Sequence, residues 1–189
     1  MKLIRDEVVA IDGELAKYRK ENDYFPVLGE GSHDSKIMFI GEAPGKNEAK
    51  TGRPFCGAAG KILDDLLASV EIPRAEVYIT NIVKDRPPEN RDPLPSEIEL
   101  YAPFLDRQVD IIQPTGLATL GRCSMDYIMR RFGLSFEIEP ISRAHGKMYD
   151  GTASYGAVKV VPLYHPAAAI YNQSLKDTLR KDFQILKSL

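Results

Sequence analysis

Cysteine is scarce in this sequence. Its 189 residues carry Cys56 and Cys123 alone, far apart and in no C-x-x-C pair. That excludes a zinc or iron–sulfur site built on cysteine and fits a reducing compartment. Histidine is as sparse: His33, His145 and His165 are widely separated and lack a flanking carboxylate pair, so no metal site is expected. No apolar run is long enough for a membrane span or a signal peptide, and the Met1–Asp12 stretch mixes acidic residues among its apolar ones, so a cytoplasmic protein is expected. An excess of positive charge is missing too. Lys and Arg number 25 against 27 Asp and Glu, a formal net charge of -2, so no global field advertises nucleic acid. Lys84, Arg86, Arg91, Arg122, Arg130, Arg131, Arg143 and Lys147 nevertheless fall outside the acidic N-terminal segment. They read either as one basic face or as a solvated mixed-charge surface.

Nucleotide signatures are absent as well. There is no G-x-G-x-x-G, and Gly41-Glu42-Ala43-Pro44-Gly45-Lys46-Asn47 has three residues between its glycines, where a phosphate-cradling P-loop needs four followed by Lys-Ser/Thr. No repeat, low-complexity tract or linker interrupts the chain. What is present is 43% hydrophobic and 28% charged residues, the composition of an ordinary globular protein. A single domain over 1–189 is expected, long enough to bury roughly 70% of its extended-chain surface.

Leu3, Ile4, Val8, Ile11, Leu15 and Tyr18 recur at helical spacing and predict a helix over 2–22, followed by a loop to residue 35. β-branched apolar runs at 37–40, 77–83, 115–120 and 158–163 alternate with helical patterns at 58–70, 96–112, 122–132 and 173–188. Alternation of this kind predicts an α/β protein: a three-layer α/β/α sandwich around a central, mainly parallel four-stranded sheet. Ligands of such sheets bind outside the carboxyl ends of the strands. The informative turns are then Gly41–Gly45, Asn81 with Lys84–Arg91, Gly121-Arg122 and Tyr164-His165-Pro166.

Gly41 and Gly45 permit a flat ligand to approach backbone N–H groups, or simply make a tight turn. Phe55, in Gly52-Arg53-Pro54-Phe55-Cys56-Gly57, is poorly placed for the main core; it either stacks on a base or packs beneath its loop. His33 reads as a surface residue. His145 could touch phosphate or cap a connection. His165, at the end of a buried strand and locked by Pro166, points into the crevice, where an imidazole can donate to a developing negative charge or act as general acid or base.

Taken together, G-E-A-P-G at 41–45, G-R-P-F-C-G-A-A-G at 52–60, T-N-I-V-K-D-R-P-P-E-N-R at 80–91, L-G at 120–121 and H-P-A-A at 165–168 resemble the uracil-DNA glycosylase superfamily, most nearly its family-four enzymes. The resemblance covers about residues 36–189. It implies removal of uracil from single- or double-stranded DNA by hydrolysis of the N-glycosidic bond, by a monomer and without a cofactor. The alternatives are a uracil- or deaminated-base-binding protein with little turnover, and a glycosylase for hypoxanthine or xanthine.

The resemblance further implies that Phe55 stacks on the flipped base, Asn81 reads its Watson–Crick edge, and backbone N–H groups around Gly41 and Glu42 contact its O2 side. Glu48 is implied to face uracil C5, where thymine carries a methyl; its alternative role is to cap a turn. His165 is implied to stabilise the uracil anion. Glu42 and Asn90 remain as candidates for positioning the attacking water, since Ala43 stands where some relatives have aspartate. Pro166, Ala167 and Ala168 belong to a loop that enters DNA, with Ile170 as an apolar wedge, and Arg86, Arg91, Arg122 and Arg143 are candidate DNA contacts. Family-four enzymes hold a four-iron four-sulfur cluster on four cysteines. Here the N-terminal pair is missing and Asp85 and Tyr101 stand at the other two positions, so the cluster is expected to be absent and the N-terminal segment to be anchored by ordinary packing.

Overall fold

β-branched and apolar runs buried on both faces make strands that accept helices on either side. The computed structural model, which describes residues 1–189, has such a sheet at its centre. Helices α1 (Lys2–Ala10) and α2 (Glu14–Glu21) open the chain, followed by strands β1 (Glu30–Gly31) and β2 (Ile37–Gly41), and by α3 (Lys46–Thr51) and α4 (Ala58–Ser69). Then come β3 (Tyr78–Asn81), α5 (Pro95–Ile112), β4 (Gly116–Leu120), α6 (Arg122–Arg131) and α7 (Ile141–Ala144). The hairpin of β5 (Tyr149–Ala153) and β6 (Gly156–Leu163) precedes α8 (Gln173–Phe183). No helix is long and apolar enough to cross a membrane.

The sheet has six strands in the order β1-β3-β2-β4-β6-β5. The four expected strands form its parallel centre, and β1 and β5 add antiparallel edges. Alternation sorts the side chains into two layers. Phe39, Ile79, Ala118 and Val161 meet α4 and α8 through Leu63, Leu66, Leu67, Leu179 and Phe183, whereas Met38, Ile40, Leu117 and Val160 meet α5 and α6 through Leu105, Val109, Met125 and Ile128.

The single helix expected over 2–22 is two. Its apolar spacing runs across the break, but Ile11 turns to extended geometry (ψ 142°) and α2 starts from Gly13, against which Leu100 packs so closely that a Cβ would lie 3.0 Å away. Both helices bury Ile4, Val8 and Leu15 against Val83 and Tyr101, and Glu7 pairs with Arg107 of α5. Packing is joined there by a buried ion pair. Arg19 donates to both carboxylate oxygens of Asp85 (3.0 and 2.9 Å) and to the Val8 and Val9 carbonyls, while the Tyr101 hydroxyl donates to Asp85 at 2.5 Å.

Candidate functional site

In the central order β3-β2-β4, the chain leaves β2 for one neighbour and returns to the other, so a crevice opens beyond the carboxyl end of β2. The segments after β2, β3 and β6 meet there around a cleft of about 660 Å³ lined by Glu42, Glu48, Phe55, Asn81, Asn90 and His165, with Ala167 and Ile170 at its edge. Ladder bonding continues past the strand ends, with Ile82 and Val83 N–H donating to the Gly41 and Glu42 carbonyls at 3.0 Å. The two turns are thereby held in register.

Asn81 is 2% exposed, and its side-chain amide makes no hydrogen bond within the protein although it borders the cleft. An amide without a partner on a cleft wall is free to pair with a bound group. Gly41 makes room for it: a Cβ there would lie 2.3 Å from Asn81 Oδ1 and 3.0 Å from the Phe55 ring. Phe55 corrects the sequence reading. It is fully part of the larger core layer and yet turns one side to the cleft, held by a left-handed backbone (φ 47°) whose carbonyl would be 1.8 Å from a Cβ at Gly60.

His165 lies across from that ring, centroids 5.6 Å apart. The Ala167 N–H donates to its Nδ1 at 3.1 Å, so the proton of the neutral ring sits on Nε2. Burial pushes its pKa down to about 4, which keeps the imidazole neutral at physiological pH. Gly121 backs it in a left-handed conformation (φ 98°) that a side chain would strain, and a Cβ there would lie 3.3 Å from His165 Cβ. The other two histidines lie elsewhere. His145 Nδ1 pairs with Asp182 Oδ2 at 2.8 Å and its ring packs on Tyr164, a structural tie, and His33 is exposed beside Tyr78.

Glu42 is half-buried, and loss of solvent, then Asp92, raise its pKa while Arg122 and Cys123 oppose the shift. Asn90 follows Glu89 in two successive left-handed conformations (φ 55° and 56°), a strain of about 1 kcal/mol or more for each residue. The Arg86 Nε donates to Asn90 Oδ1 at 2.7 Å and holds the turn. This leaves the Asn90 amide N–H₂ as its free end. Glu48 sits in the first turn of α3 with its carboxylate folded against Gly45 and toward Gly57 on the cleft wall, where it makes no capping hydrogen bond.

Among the candidate DNA contacts, Arg86 is not presented to solvent: it is 8% exposed and committed to Asn90, to the Tyr18 and Tyr24 hydroxyls at 3.3 Å and to the Tyr24 ring. Arg91 is held in a two-pronged pair by Glu97 (2.6 and 2.8 Å) and still borders the cleft. Arg122 and Arg143 are exposed or nearly so, and Arg122 stands 3.7 Å from Asp92. In the loop after β6, Pro166 is buried and Ala167 and Ala168 are exposed. Ile170, the expected wedge, packs against the core and lines the cleft, whereas the neighbouring Tyr171 is 99% exposed. Tyr171 escaped sequence reasoning because its two neighbours carry no periodic signal; its one hint was an aromatic ring just before the Asn172 cap of α8.

Residues 28–187 match the uracil DNA glycosylase superfamily. The chain belongs to that superfamily. It is 48% identical to the type-4 uracil-DNA glycosylase of Sulfurisphaera tokodaii over 164 residues, 86% of this chain and 74% of that protein. Against the type-4 enzyme of Archaeoglobus fulgidus it is 42% identical over 91% of this chain and 84% of that protein, and against that of Saccharolobus solfataricus 43% over 98% and 84%. The expected site residues Glu42, Glu48, Phe55, Asn81, Asn90 and His165 share the cleft beyond β2, β3 and β6.

Proposed function

We propose that this superfamily member is a uracil-DNA glycosylase that draws uracil out of DNA and hydrolyses its N-glycosidic bond, leaving an abasic site. The observation that carries the reading is the convergence of an unpartnered Asn81 amide, the Phe55 ring and a neutral His165 on one cleft. Extruding the base costs roughly a few kcal/mol, offset by stacking on Phe55 and pairing with Asn81. The Asn81 N–H₂ donates to uracil O4, and backbone N–H groups around Gly41 and Glu42 serve the O2 side.

As the C1′–N1 bond breaks, its electron pair leaves with the base. The His165 Nε2–H, aimed by the Ala167 contact, donates to the negative charge that builds on the uracil ring. Water attacks C1′ and gives up a proton. Glu42 is the acceptor for that proton, because Asn90 already spends its oxygen on Arg86 and offers donors. Glu42 also speaks against a binding protein with little turnover, which the absence of any water activator would have favoured. Glu48 meets C5 and rejects a methyl there. Ala167, Ala168 and Tyr171 contact the strand from which the base came, with Arg122 and Arg143 reaching phosphates.

No iron–sulfur cluster belongs to this reading. Its donor set does not fit one, since two of the four implied positions are Asp85 and Tyr101, bonded to each other, with Asp85 also paired to Arg19. The enzyme acts as a cytoplasmic monomer, with its N-terminal helices fixed by that ion pair. Incubation with oligonucleotides bearing one uracil, hypoxanthine or xanthine, followed by alkali, separates the readings: cleavage at uracil alone supports this one.

A further inference from the structure

Behind Asn81 lies a charged side chain that the proposed chemistry does not use. Lys84 is fully buried, and its Nζ meets Thr80 Oγ1 at 2.8 Å, the Asn81 carbonyl at 2.6 Å and Gln108 Oε1 at 2.6 Å. All three are committed as acceptors. The Thr80 hydroxyl spends its proton on the Leu28 carbonyl at 2.7 Å, and the Gln108 N–H₂ donates to Leu28 and to the Tyr78 hydroxyl, which turns Oε1 toward the lysine. An ammonium has three donors to match three acceptors; a neutral amine would aim a lone pair at one of them. The geometry is built for the cation.

That cation has no counter-ion. The adjacent carboxylate, Asp85, is taken by Arg19 and Tyr101. A buried, hydrogen-bonded but uncompensated charge bound to the peptide of a cleft residue is the arrangement expected of a functional group, since a structural tie between β3 and α5 could be made by neutral residues at lower desolvation cost.

We propose that Lys84 is a positioning residue of the uracil site: it clamps the Asn81 peptide and holds a positive charge behind the residue that reads the departing base. The inference rests on the uracil-excision reading and on Asn81 as the base reader. Held by its carbonyl from behind, Asn81 presents its side chain without an intramolecular partner, and the field of the ammonium, little screened at this depth, favours the anion over the neutral base.

Burial pushes the Lys84 pKa down to about 7, so the cation is lost as pH rises through neutrality. The groups facing it do not confuse that signal. β3 presents Thr80 and Tyr78, the latter pushed up to about 12; α5 presents Gln108; the segment before β1 presents the Leu28 carbonyl; and the N-terminal helices present Arg19, locked to Asp85. Across the cleft Glu42, raised by burial, acts with the opposite sign, since it must be ionised to accept a proton.

The test is the pH profile of kcat/KM and a single-turnover rate with a uracil oligonucleotide, for the parent, Lys84→Met and Gln108→Glu. The parent should lose activity above about pH 7. Lys84→Met should lower the single-turnover rate about a hundredfold, the scale for one preorganised electrostatic group, change KM far less, and lack the alkaline limb. Should Lys84→Met not fold, Gln108→Glu decides, because a carboxylate against Nζ must move the limb to higher pH; an unmoved limb overturns the proposal. A folded Lys84→Met that keeps the parent rate or the parent limb overturns it as well. Asn81→Ala is run alongside: if the parent excises uracil and Asn81→Ala fails while Lys84→Met is unaffected, the role of Lys84 is wrong and the uracil reading stands. If the parent excises nothing, the uracil reading itself has failed.

Discussion

The backbone N–H of Ala167 donates to Nδ1 of His165, and this one contact decides which nitrogen of the imidazole carries the proton. It makes the ring an Nε2–H donor without making it a cation. His165→Ala is expected to lower single-turnover excision by about a hundredfold or more while binding of uracil-containing DNA changes little, since the donor is used where charge develops. Comparing the chemical rate with the dissociation constant checks this; loss of both in equal measure would assign His165 to ground-state binding.

The same residue links pH to stability. Its folded pKa, about 4, lies below the ordinary value near 6.5, so the unfolded chain binds the proton more readily between them. Its contribution is therefore complete above about pH 6.5 and lost as pH falls toward 4. Urea unfolding across that window should show a smaller pH slope for His165→Gln than for the parent.

Asn81→Asp replaces the N–H₂ that faces uracil O4 by a carboxylate, which repels the forming anion and can accept from the amino group of cytosine. Uracil excision should fall, and cytosine excision should appear. Parent-level uracil release with cytosine still ignored would remove Asn81 from base reading.

Glu42 must be ionised to accept the water's proton, and burial raises its pKa, so activity should climb as pH rises through that value. Glu42→Gln should flatten this acid limb and slow excision; Asn90→Ala should slow it and leave the limb in place. The reverse pattern would exchange their roles.

At the N-terminal helices, Asp85→Ala leaves Arg19 buried without a partner and should cost about 3–5 kcal/mol of stability by denaturant unfolding. Tyr101→Phe should cost less, because Arg19 still pairs with Asp85. Protein expressed with iron supplementation should carry no stoichiometric iron.

Much of this architecture was legible in the residues. The parallel strands announced themselves through β-branched runs, and His165, Asn81 and Gly41 stood at strand ends where an open sheet gathers its ligands. The edge strands did not, because Glu30-Gly31 is two residues long and Tyr149–Ala153 carries too little apolar character to alternate. The run Lys84-Asp85-Arg86 was the least legible. Three charges in sequence suggest solvent, yet each is buried, and each turns to partners that arrive from distant parts of the chain: Gln108, Arg19 with Tyr101, and Tyr18 with Tyr24. Phe55 was misjudged for a related reason, since flanking glycine and proline describe the loop's backbone and not where its left-handed turn sends the ring.

The most direct test of the account is the identity of the product. An oligonucleotide with one uracil is incubated with the protein, and the released base and the remaining strand are identified by mass spectrometry. The account predicts free uracil, an intact sugar–phosphate backbone with one abasic site, and no release of thymine from the same strand. Tight binding of the oligonucleotide with no base released would contradict it.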